Sequence, residues 1–388
     1  MSDNPINAAI IGTGFMSWVH AEALRRINIP IAGVLGSSTD KSQAAAESLG
    51  LARAYESFDD VISDADVHSI HICTPNDLHF EMAKAALLAG KHVLCEKPLA
   101  INSSESAELV ELAKSHPNLA AGVNYNIRYF PLCVEARSRT QTKDVGDVVH
   151  VTGSYTQDWL STQDDYNWRL LSDKGGELRA MADIGTHWLD LIQFITGLKI
   201  ESVCADLKTV FAQRNRPVGE VDTFAGSQNI SCETESIAIN TEDFGAVLLR
   251  FEGGARGCFH VSQVIPGHKN CLRFEIAGSD QSLAWNSEQP NELQIGNRHS
   301  SNHRLIRDPA LLSQNGQHVT SYPGGHNEGY PDSFKQCFRD FYSHIQNAKW
   351  NEPCSFPSFA DGHREVLLCE AILKSHREEK WVSIQEVS

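Results

Sequence analysis

Two charged residues, Glu96 and Lys97, follow an apolar run and stand directly before Pro98. Pro98 fixes its own backbone and disfavours helix at Lys97, so the segment predicts a turn at the end of a buried strand. Ligands of open α/β sheets bind at the carboxyl ends of strands. A lysine ammonium there can bind a substrate oxygen and stabilise the negative charge that develops on it. Lys97 is therefore a candidate catalytic residue, and a plain surface turn is the alternative.

A second group of candidates, Asp183, His187 and Asp190, is spaced at i, i+4 and i+7 within a predicted helix. This spacing places the three side chains on one helical face, while apolar residues occupy another. A carboxylate one turn before a histidine can orient the ring and stabilise the imidazolium. The pair is suited to a general base for alcohol oxidation near neutral pH. A solvated polar face is the alternative interpretation.

Residues 7–37 read as a strand, a glycine turn, a helix and a second strand. Gly12 permits the tight turn, and Gly14 lets the backbone approach a pyrophosphate at the N-terminus of the helix. Ser17 stands where the third glycine of a G-x-G-x-x-G motif is usual, and it is small enough for close packing of helix on strand. The order of these elements predicts a dinucleotide-binding βαβ unit.

The end of the second strand bears on the choice between NAD and NADP. An acidic residue at this point accepts hydrogen bonds from a free ribose 2′-hydroxyl and repels a 2′-phosphate. The chain has Gly-Ser-Ser-Thr at positions 36–39, and Asp40 and Lys41 follow. Lys41 can face a phosphate as readily as Asp40 can face a ribose, so both cofactors stay open.

Strands and helices continue to alternate up to about residue 125. The strand at 67–73 ends in Thr74-Pro75-Asn76, whose polar groups can contact a cofactor, and further strands are predicted at 92–95 and 119–123. Alternation of this kind predicts a parallel, doubly wound sheet. We expect a Rossmann domain over residues 1–125.

The pattern then changes to short strands separated by Gly-Gly and Gly-Ser turns. These predict a large, mostly antiparallel sheet, interrupted by one long helix at about 180–196. Residues 212–236 and 297–330 are polar and predict long loops, and helices at 333–346 and 359–376 end the chain. The predicted fold class is α/β, with an α/β domain over residues 126–388 after the Rossmann domain.

Composition excludes several functional classes. The 388 residues include 33 basic and 49 acidic ones, and the formal charge of −16 opposes binding to nucleic acid or to anionic membranes. The chain starts without a basic region before an apolar run and has no apolar stretch near the ~20 residues of a membrane span, so we expect a cytoplasmic protein. Ten cysteines without a Cys-x-x-Cys pair predict buried, reduced thiols. His299 and His303 lack a third ligand, and no metal is expected.

The Gly-x-Gly start, Thr-Pro-Asn, Glu-Lys-Pro, and Gly-Gly followed by Asp-x-x-x-His occur in this order over nearly the whole chain. In this combination they resemble the Gfo/Idh/MocA oxidoreductases, a family named for glucose–fructose oxidoreductase and inositol dehydrogenase. The resemblance implies that Lys97, Asp183 and His187 are catalytic. It also implies a C-terminal α/β domain whose open sheet forms a homodimer or a homotetramer.

The motifs and the resemblance together assign two sets of binding residues. The predicted cofactor-binding residues are Gly12, Thr13, Gly14, Phe15, Met16, Ser37, Ser38, Lys41, Thr74, Pro75, Asn76, His79, Glu96, Lys97, Asn126 and Arg128. The predicted substrate-binding residues are Lys97, Arg128, Tyr155, Trp168, Arg169, Asp183, His187 and His326. Of these, Trp168 and Arg169 match a Trp-Arg pair of the family, and the segments around Tyr155 and His326 resemble those of its sugar dehydrogenases.

The leading hypothesis is a dehydrogenase that moves a hydride between C4 of a nicotinamide, in NAD or NADP, and a carbon bearing a secondary hydroxyl of a sugar or cyclic polyol. One alternative is an NAD-dependent glycosidase that oxidises its substrate transiently, eliminates the aglycone and reduces again, without net redox. Another is a non-catalytic, nucleotide-sensing regulator on the same fold. Such a regulator need not retain Lys97, Asp183 and His187.

Overall fold

The computed structural model describes residues 6–218 and 233–387. The chain divides into two compact units, of which the first contains the residues up to Asn126 together with Pro331–Val366. The second contains Ile127–Tyr330 and the residues from Leu367 onward. The end of the first long segment lies within one residue of the predicted boundary. Residues 331–366, however, belong to the first unit, which corrects the prediction that everything after residue 125 forms the second domain.

The first unit is built on five parallel strands in the order β2-β1-β3-β4-β5. The strands are β1 (Ala8–Ile11), β2 (Ile31–Leu35), β3 (Ser69–Ile72), β4 (His92–Cys95) and β5 (Ala121–Val123). The intervening helices are α1 (Phe15–Arg26), α2 (Thr39–Ser48), α3 (Phe58–Ser63), α4 (His79–Leu88) and α5 (Ser103–Ser115). All five strands run in one direction, so the loops after them meet at a single edge of the sheet, which is where Lys97 was predicted to lie.

Local sequence accounts for the elements of this unit. Strands β1 and β3 are buried along their whole length, as expected for a parallel sheet covered on both faces. Ser57 caps α3 through a capping box with Asp60, and the Asn102 side chain accepts from the backbone N–H of Glu105 at the start of α5. Gly12 has φ +116°, and an added Cβ would lie 2.6 Å from the Cys73 carbonyl oxygen, so only glycine fits where the first loop crosses β3.

The second unit contains a nine-stranded sheet in the order β15-β14-β13-β12-β6-β11-β10-β7-β16. Its strands are β6 (Val148–Thr156), β7 (Ile200–Lys208), β10 (Phe244–Phe251), β11 (Arg256–Ser262), β12 (Cys271–Gly278), β13 (Gln281–Asn286), β14 (Glu292–Asn297), β15 (His303–Ile306) and β16 (Val382–Ser383). Strands β8 (Gln213–Pro217) and β9 (Thr234–Ala238) form a separate antiparallel pair. Among the pairings of the large sheet, β6 with β11 is parallel, and the others are antiparallel.

Helices complete both units. They are α6 (Pro131–Gln141), α7 (Ser172–Gly175), a π-helical turn (Met181–Gly185), α8 (Thr186–Thr196), α9 (Gln314–His318), α10 (Tyr330–Gln346) and α11 (Phe359–Glu378). Short 3₁₀ turns lie at Asn76–Leu78, Asn126–Tyr129, Trp168–Leu170, Glu252–Gly254, Pro309–Leu311 and Ile384–Glu386. The α/β fold class with a parallel sheet and a large, mostly antiparallel sheet is confirmed. The predicted loops at 212–236 and 297–330 contain β8, β15 and α9, and residues 219–232 lie outside the described part of the chain.

The apolar side of the predicted long helix packs on the nine-stranded sheet. Trp188 stacks on Phe259 with ring centroids 4.5 Å apart, and its Nε1–H donates to the Arg273 carbonyl oxygen at 2.8 Å. Gly153 makes room for this contact, because an added Cβ would lie 2.4 Å from Trp188 Nε1. The helix is therefore held in place just beyond the π-helical turn that carries Asp183. π-Helical turns occur frequently at functional sites.

None of the helices within 6–218 and 233–387 is long and apolar enough to cross a membrane. Nine cysteines of the described segments are free thiols. Cys95 is buried as predicted, whereas Cys258 and Cys354 are exposed.

Candidate active site

The loop after β1 fits the diphosphate of a dinucleotide. Gly14 precedes α1 and no side chain caps the helix, so its first backbone N–H groups face outward with the positive end of the helix dipole. An added Cβ at Gly14 meets no protein atom within 4 Å, which marks open space beside the backbone. Thr13 and Phe15 are exposed, and Met16 is partly buried. These observations support nucleotide binding at this loop.

The loop after β2 adjoins the first loop. An added Cβ at Gly36 would lie 2.9 Å from the Thr13 methyl group, so the two loops touch. Ser37 and Ser38 are exposed, and Ser38 Oγ accepts from the backbone N–H of Lys41 at 3.3 Å to cap α2. The end of β2 therefore presents hydroxyl groups rather than a carboxylate, and the choice between NAD and NADP stays open.

His79 was predicted to bind cofactor, but its ring is fully buried. Its two nitrogens lie 2.7 Å from the Pro98 carbonyl oxygen and 3.0 Å from that of Thr74. Burial lowers the pKa of this imidazole. The ring thus braces the loop after β3, where Thr74, Pro75 and Asn76 are partly exposed, against the turn after β4. The contact of His79 with a cofactor stays a prediction.

Glu96 and Lys97 have different environments despite being neighbours. Glu96 is 7% exposed, and its Oε1 accepts from His20 Nε2 at 2.8 Å and from Asn124 Nδ2 at 2.5 Å. Burial tends to raise the pKa of Glu96, but the donors at His20 and Asn124 outweigh it and lower that pKa to about 2. Lys97 is partly exposed and joined to Pro98 by a cis peptide bond. Glu96 therefore anchors the turn, and Lys97 is the residue that this turn presents.

The contact of Glu96 with His20 continues as a buried chain of hydrogen bonds. His20 Nδ1 lies 2.8 Å from His71 Nδ1, and His71 Nε2 lies 2.8 Å from the Tyr342 hydroxyl. The same hydroxyl lies 2.7 Å from Ser69 Oγ. Tyr342 belongs to α10, so this chain is one physical reason why residues 331–366 belong to the first unit.

Asn126 and Arg128 were both expected near the cofactor. In the first unit Asn126 is 2% exposed and donates through Nδ2 to Ser333 Oγ at 2.7 Å. In the second unit Arg128 donates to both carboxylate oxygens of Asp190, from Nε at 2.7 Å and from Nη2, and it also lies over the Phe194 ring. Asp190 is 3% exposed, so the helical face that it shares with His187 is buried rather than solvated.

The second unit brings three other predicted substrate residues, Arg169, Trp168 and Tyr155, together around Asp183. Gln263 Nε2 donates to Asp183 Oδ2 at 2.9 Å, and Arg169 Nε lies 3.4 Å from Oδ1. The Arg169 guanidinium lies 4.5 Å from the centroid of the Trp168 ring. The third is Tyr155, because burial and the negative charge of Asp183 raise the pKa of this phenol.

His187 lies one turn beyond Asp183, at the start of α8, and is 8% exposed. The centroid of its ring is 6.2 Å from that of Tyr155. A buried imidazole beside an aromatic ring and one turn from a carboxylate can accept a proton with little access for water. The arrangement is consistent with a general base.

His326 lies on an exposed loop that a buried arginine holds in shape. Arg307 is 1% exposed and donates to the carbonyl oxygens of Tyr322, at 2.8 Å, and of His326. It also pairs with the buried carboxylate of Glu328 at 2.9 Å. A guanidinium fork can hold several acceptors at once, so the loop has a defined form although its surface is polar.

Several residues of the site were not predicted. Behind Asp183 lies a buried polar group that consists of Gln263, Arg179 and Asp243. Behind Glu96 lies a second one, which consists of His20 and His71. Each of these residues comes from a different element, so no sequence spacing relates them. The one available signal was the charged pair Glu242-Asp243 directly before an apolar strand, because charge at such a position needs a partner if it is buried. Within 6–218 and 233–387, no three His, Cys, Asp or Glu side chains are grouped to hold a metal ion.

Comparison with known families agrees with this architecture. The Gfo/Idh/MocA sequence model described as an oxidoreductase family with an NAD-binding Rossmann fold matches residues 6–125. The model of the Gfo/Idh/MocA C-terminal domain matches residues 133–284. The two matches together span most of the chain.

Relatives extend the similarity over the full length. The levoglucosan dehydrogenase of Pseudarthrobacter phenanthrenivorans is 28% identical, with 99% of each chain covered. The myo-inositol 2-dehydrogenase of Thermotoga maritima is 25% identical over 97% of this chain and 98% of that protein.

Two solved structures also match nearly the whole chain. A levoglucosan dehydrogenase in complex with NADH and L-sorbose has a TM-score of 0.87 at 28% identity, covering 98% of this chain and 99% of the other. An oxidoreductase domain protein from Kribbella flavida has a TM-score of 0.88 at 31% identity, with the same coverage.

Proposed function

The chain belongs to the Gfo/Idh/MocA oxidoreductase family and binds NAD or NADP, and from this premise we propose that it oxidises a secondary hydroxyl of a sugar or cyclic polyol. The observation that carries the proposal is the Asp183 carboxylate, held by Gln263 and Arg169 one turn before the buried His187. Two of its full-length relatives are named for oxidising a sugar derivative and a cyclic polyol.

In the proposed reaction each residue of the chain has a separate task. His187 accepts the proton of the substrate hydroxyl, and the Asp183 carboxylate stabilises the imidazolium that results. Lys97 binds the same oxygen and stabilises its developing negative charge. The bound nicotinamide supplies the hydride acceptor. The cofactor is held by the loops after β1 and β2, and Thr74, Pro75 and Asn76 complete the binding edge.

The charges of the second unit favour an uncharged substrate. Arg128 is bound to Asp190, and Arg169 lies against Asp183 and over the Trp168 ring. A phosphate group that bound Arg128 would compete with the buried Asp190 carboxylate, and one that bound Arg169 would draw it away from Asp183, which is 15% exposed and also accepts from Gln263. We therefore infer a sugar or polyol without a phosphate.

The function is tested by a screen of sugars and cyclic polyols with NAD and with NADP, followed by the absorbance of the reduced cofactor. We expect reduced cofactor to accumulate with at least one uncharged compound, and glucose to be a better substrate than glucose 6-phosphate. Cleavage of a glycoside without net reduction of cofactor would instead indicate the transient-oxidation glycosidase. Tight nucleotide binding without turnover of any compound would indicate the regulator.

The cytoplasmic location and the homodimer or homotetramer stay predictions. Sedimentation of the purified protein tests the predicted oligomeric state.

A further inference from the structure

Gln263 lies directly behind Asp183, immediately after β11, and is completely buried. One of its amide N–H groups donates to Asp183 Oδ2 at 2.9 Å, and the nitrogen also lies 3.2 Å from Gln157 Oε1. Its amide oxygen accepts from Arg179 Nη1 at 2.7 Å. Every polar atom of the Gln263 side chain therefore has a partner, and the side chain links Arg179 to Asp183.

Arg179 decides which way the Gln263 amide faces. A guanidinium only donates hydrogen bonds, so the atom of Gln263 next to it must be the carbonyl oxygen. If the amide were reversed, two donors would meet at Arg179 and two acceptors would meet at Asp183. The NH₂ group must therefore face Asp183. An ionised carboxylate is the form that accepts this bond best, so the contact favours ionised Asp183.

Arg179 is itself fixed by carboxylates that precede β10. Its Nη2 donates to Asp243 Oδ1, which also accepts from Arg214 Nη2 at 2.8 Å. The Arg179 guanidinium and the Asp243 carboxylate are inaccessible to solvent. Glu242 accepts from the backbone N–H groups of Arg179, at 2.9 Å, and of Met181, at 2.7 Å. Burial raises the pKa of Glu242, although these N–H groups oppose the rise.

These carboxylates also position the segment that carries Asp183. The N–H group of Met181 begins the π-helical turn, so Glu242 holds the start of that turn, and Asp243 holds the Arg179 side chain beside it. Other ionisable groups around Asp183, within the described part of the chain, include Arg169 at Oδ1, the phenol of Tyr155, and His187 on the following turn.

We propose that Gln263, locked in orientation by Arg179, is a positioning residue that keeps Asp183 ionised and fixed during the oxidation. When His187 takes the hydroxyl proton and becomes an imidazolium, Asp183 stays a carboxylate and its charge stabilises the new cation. The catalytic part of this inference rests on the proposed function, whereas the effect of Gln263 on the ionisation of Asp183 does not.

The test uses two variants that keep the size of the side chain. Gln263→Glu retains an acceptor for Arg179 but turns a second carboxylate toward Asp183, and Gln263→Met removes both hydrogen bonds. The matched control is Gln281→Met, because Gln281 lies in the same sheet but donates to Asn297 Oδ1, at 2.9 Å, instead of to Asp183. Circular dichroism and nucleotide affinity establish that each variant is folded.

The first measurement is the titration of the Asp183 carboxyl, by carbon NMR of protein with labelled aspartate. The signal is assigned through its loss in Asp183→Asn. We expect its midpoint to rise by about one pH unit in Gln263→Met, the size typical of a lost hydrogen bond to a charged group. A larger rise is expected in Gln263→Glu, because like charges then face each other. The midpoint should not move in Gln281→Met.

The second measurement is the pH dependence of kcat and KM for the oxidation. We expect kcat to fall at least about tenfold in both Gln263 variants with little change in KM, and the pH profile to shift in the same direction as the carboxyl titration. An unchanged midpoint in a folded Gln263 variant would overturn the inference. So would an equal fall of kcat in Gln281→Met.

The Asp183 midpoint could shift in the Gln263 variants of a protein that oxidises none of the compounds. That result would support the inferred effect of Gln263 on Asp183 and refute the proposed function instead. Gln263→Met adds no charge to the interior, so it keeps the test available if Gln263→Glu does not fold.

Discussion

Replacing Glu96 by glutamine removes a buried negative charge and keeps the shape of the side chain. In the folded protein the Glu96 oxygen accepts from His20 at 2.8 Å and from Asn124 at 2.5 Å. An ionised carboxylate only accepts hydrogen bonds, so His20 must carry its hydrogen on Nε2. Both donors bind the same oxygen, Oε1, so an amide oxygen there can still accept from both, but it carries no charge and the two hydrogen bonds lose their charge-assisted strength. We therefore expect Glu96→Gln to be less stable than the wild type at neutral pH.

The magnitude follows from the pKa of Glu96, which is about 2 in the fold against 4.5 for a free side chain. At 1.36 kcal/mol for each pH unit, this difference corresponds to roughly 3 kcal/mol in favour of the folded state. The pKa is lowered, so the stabilisation is present above pH 4.5 and is lost as the pH falls toward 2. About half of it should remain at pH 3. The stability gap between wild type and Glu96→Gln should shrink in the same way.

The assay is urea unfolding of both proteins at several pH values between 7 and 3, followed by circular dichroism. The control is Glu111→Gln, which removes a carboxylate of an exposed pair with Lys114 on α5 and should change stability little at any pH. A gap between wild type and Glu96→Gln that stays constant over this range would refute the reasoning. So would a Glu96 carboxyl signal that titrates near 4.5 in carbon NMR.

Three further predictions concern binding and catalysis. Gly14→Val should abolish nucleotide binding in a folded protein. Gly329→Val, where an added Cβ also meets no atom within 4 Å, should bind nucleotide like the wild type when both are measured by calorimetry. Lys97→Ala should lose at least ~2.7 kcal/mol of transition-state stabilisation, which is about a hundredfold in kcat, with little change in nucleotide affinity. A near-normal kcat in this variant would show that Lys97 is not a catalytic residue. His187→Ala and the double variant with Asp183→Asn should be about equally slow, with Asp183→Asn alone somewhat faster. The rate of oxidation should rise with pH through an ionisation that His187→Ala removes, and an unchanged profile in that variant would show that another group is the base.

The sequence by itself determined most of the first unit and the identity of the main elements in the second. Strand periodicity and turn residues are local properties. The burial of β1 on both faces appears in the sequence as the apolar run Ala-Ala-Ile-Ile, whereas the equally buried β3 contains Ser69 and His71. The glycine turn at 12–14 was equally readable, because a positive φ and a close approach to Cys73 leave glycine as the residue that fits at position 12. The prediction of an apolar stripe on the helix that carries His187 was also correct.

Other features were decided by contacts between distant parts of the chain. The assignment of 331–366 to the first unit depends on Tyr342 reaching His71, 271 residues earlier. The parallel pairing of β6 with β11 joins strands that are not neighbours in sequence. Polar stretches predicted as loops became edge or paired strands, because strand pairing can stabilise backbone whose side chains show little apolar alternation.

The site shows the same division. Residue type and spacing indicated that Glu96, Lys97, Asp183 and His187 matter, but they did not indicate which side chains surround each of them. Only the tertiary structure places Glu96 on His20 and Asp183 on Gln263, pairs that are 76 and 80 residues apart. Ionisation depends on burial and on donors within a few ångströms, and packing brings those donors from separate elements. The chemistry of each group was therefore present in the sequence, while its charge state and orientation were set by the fold.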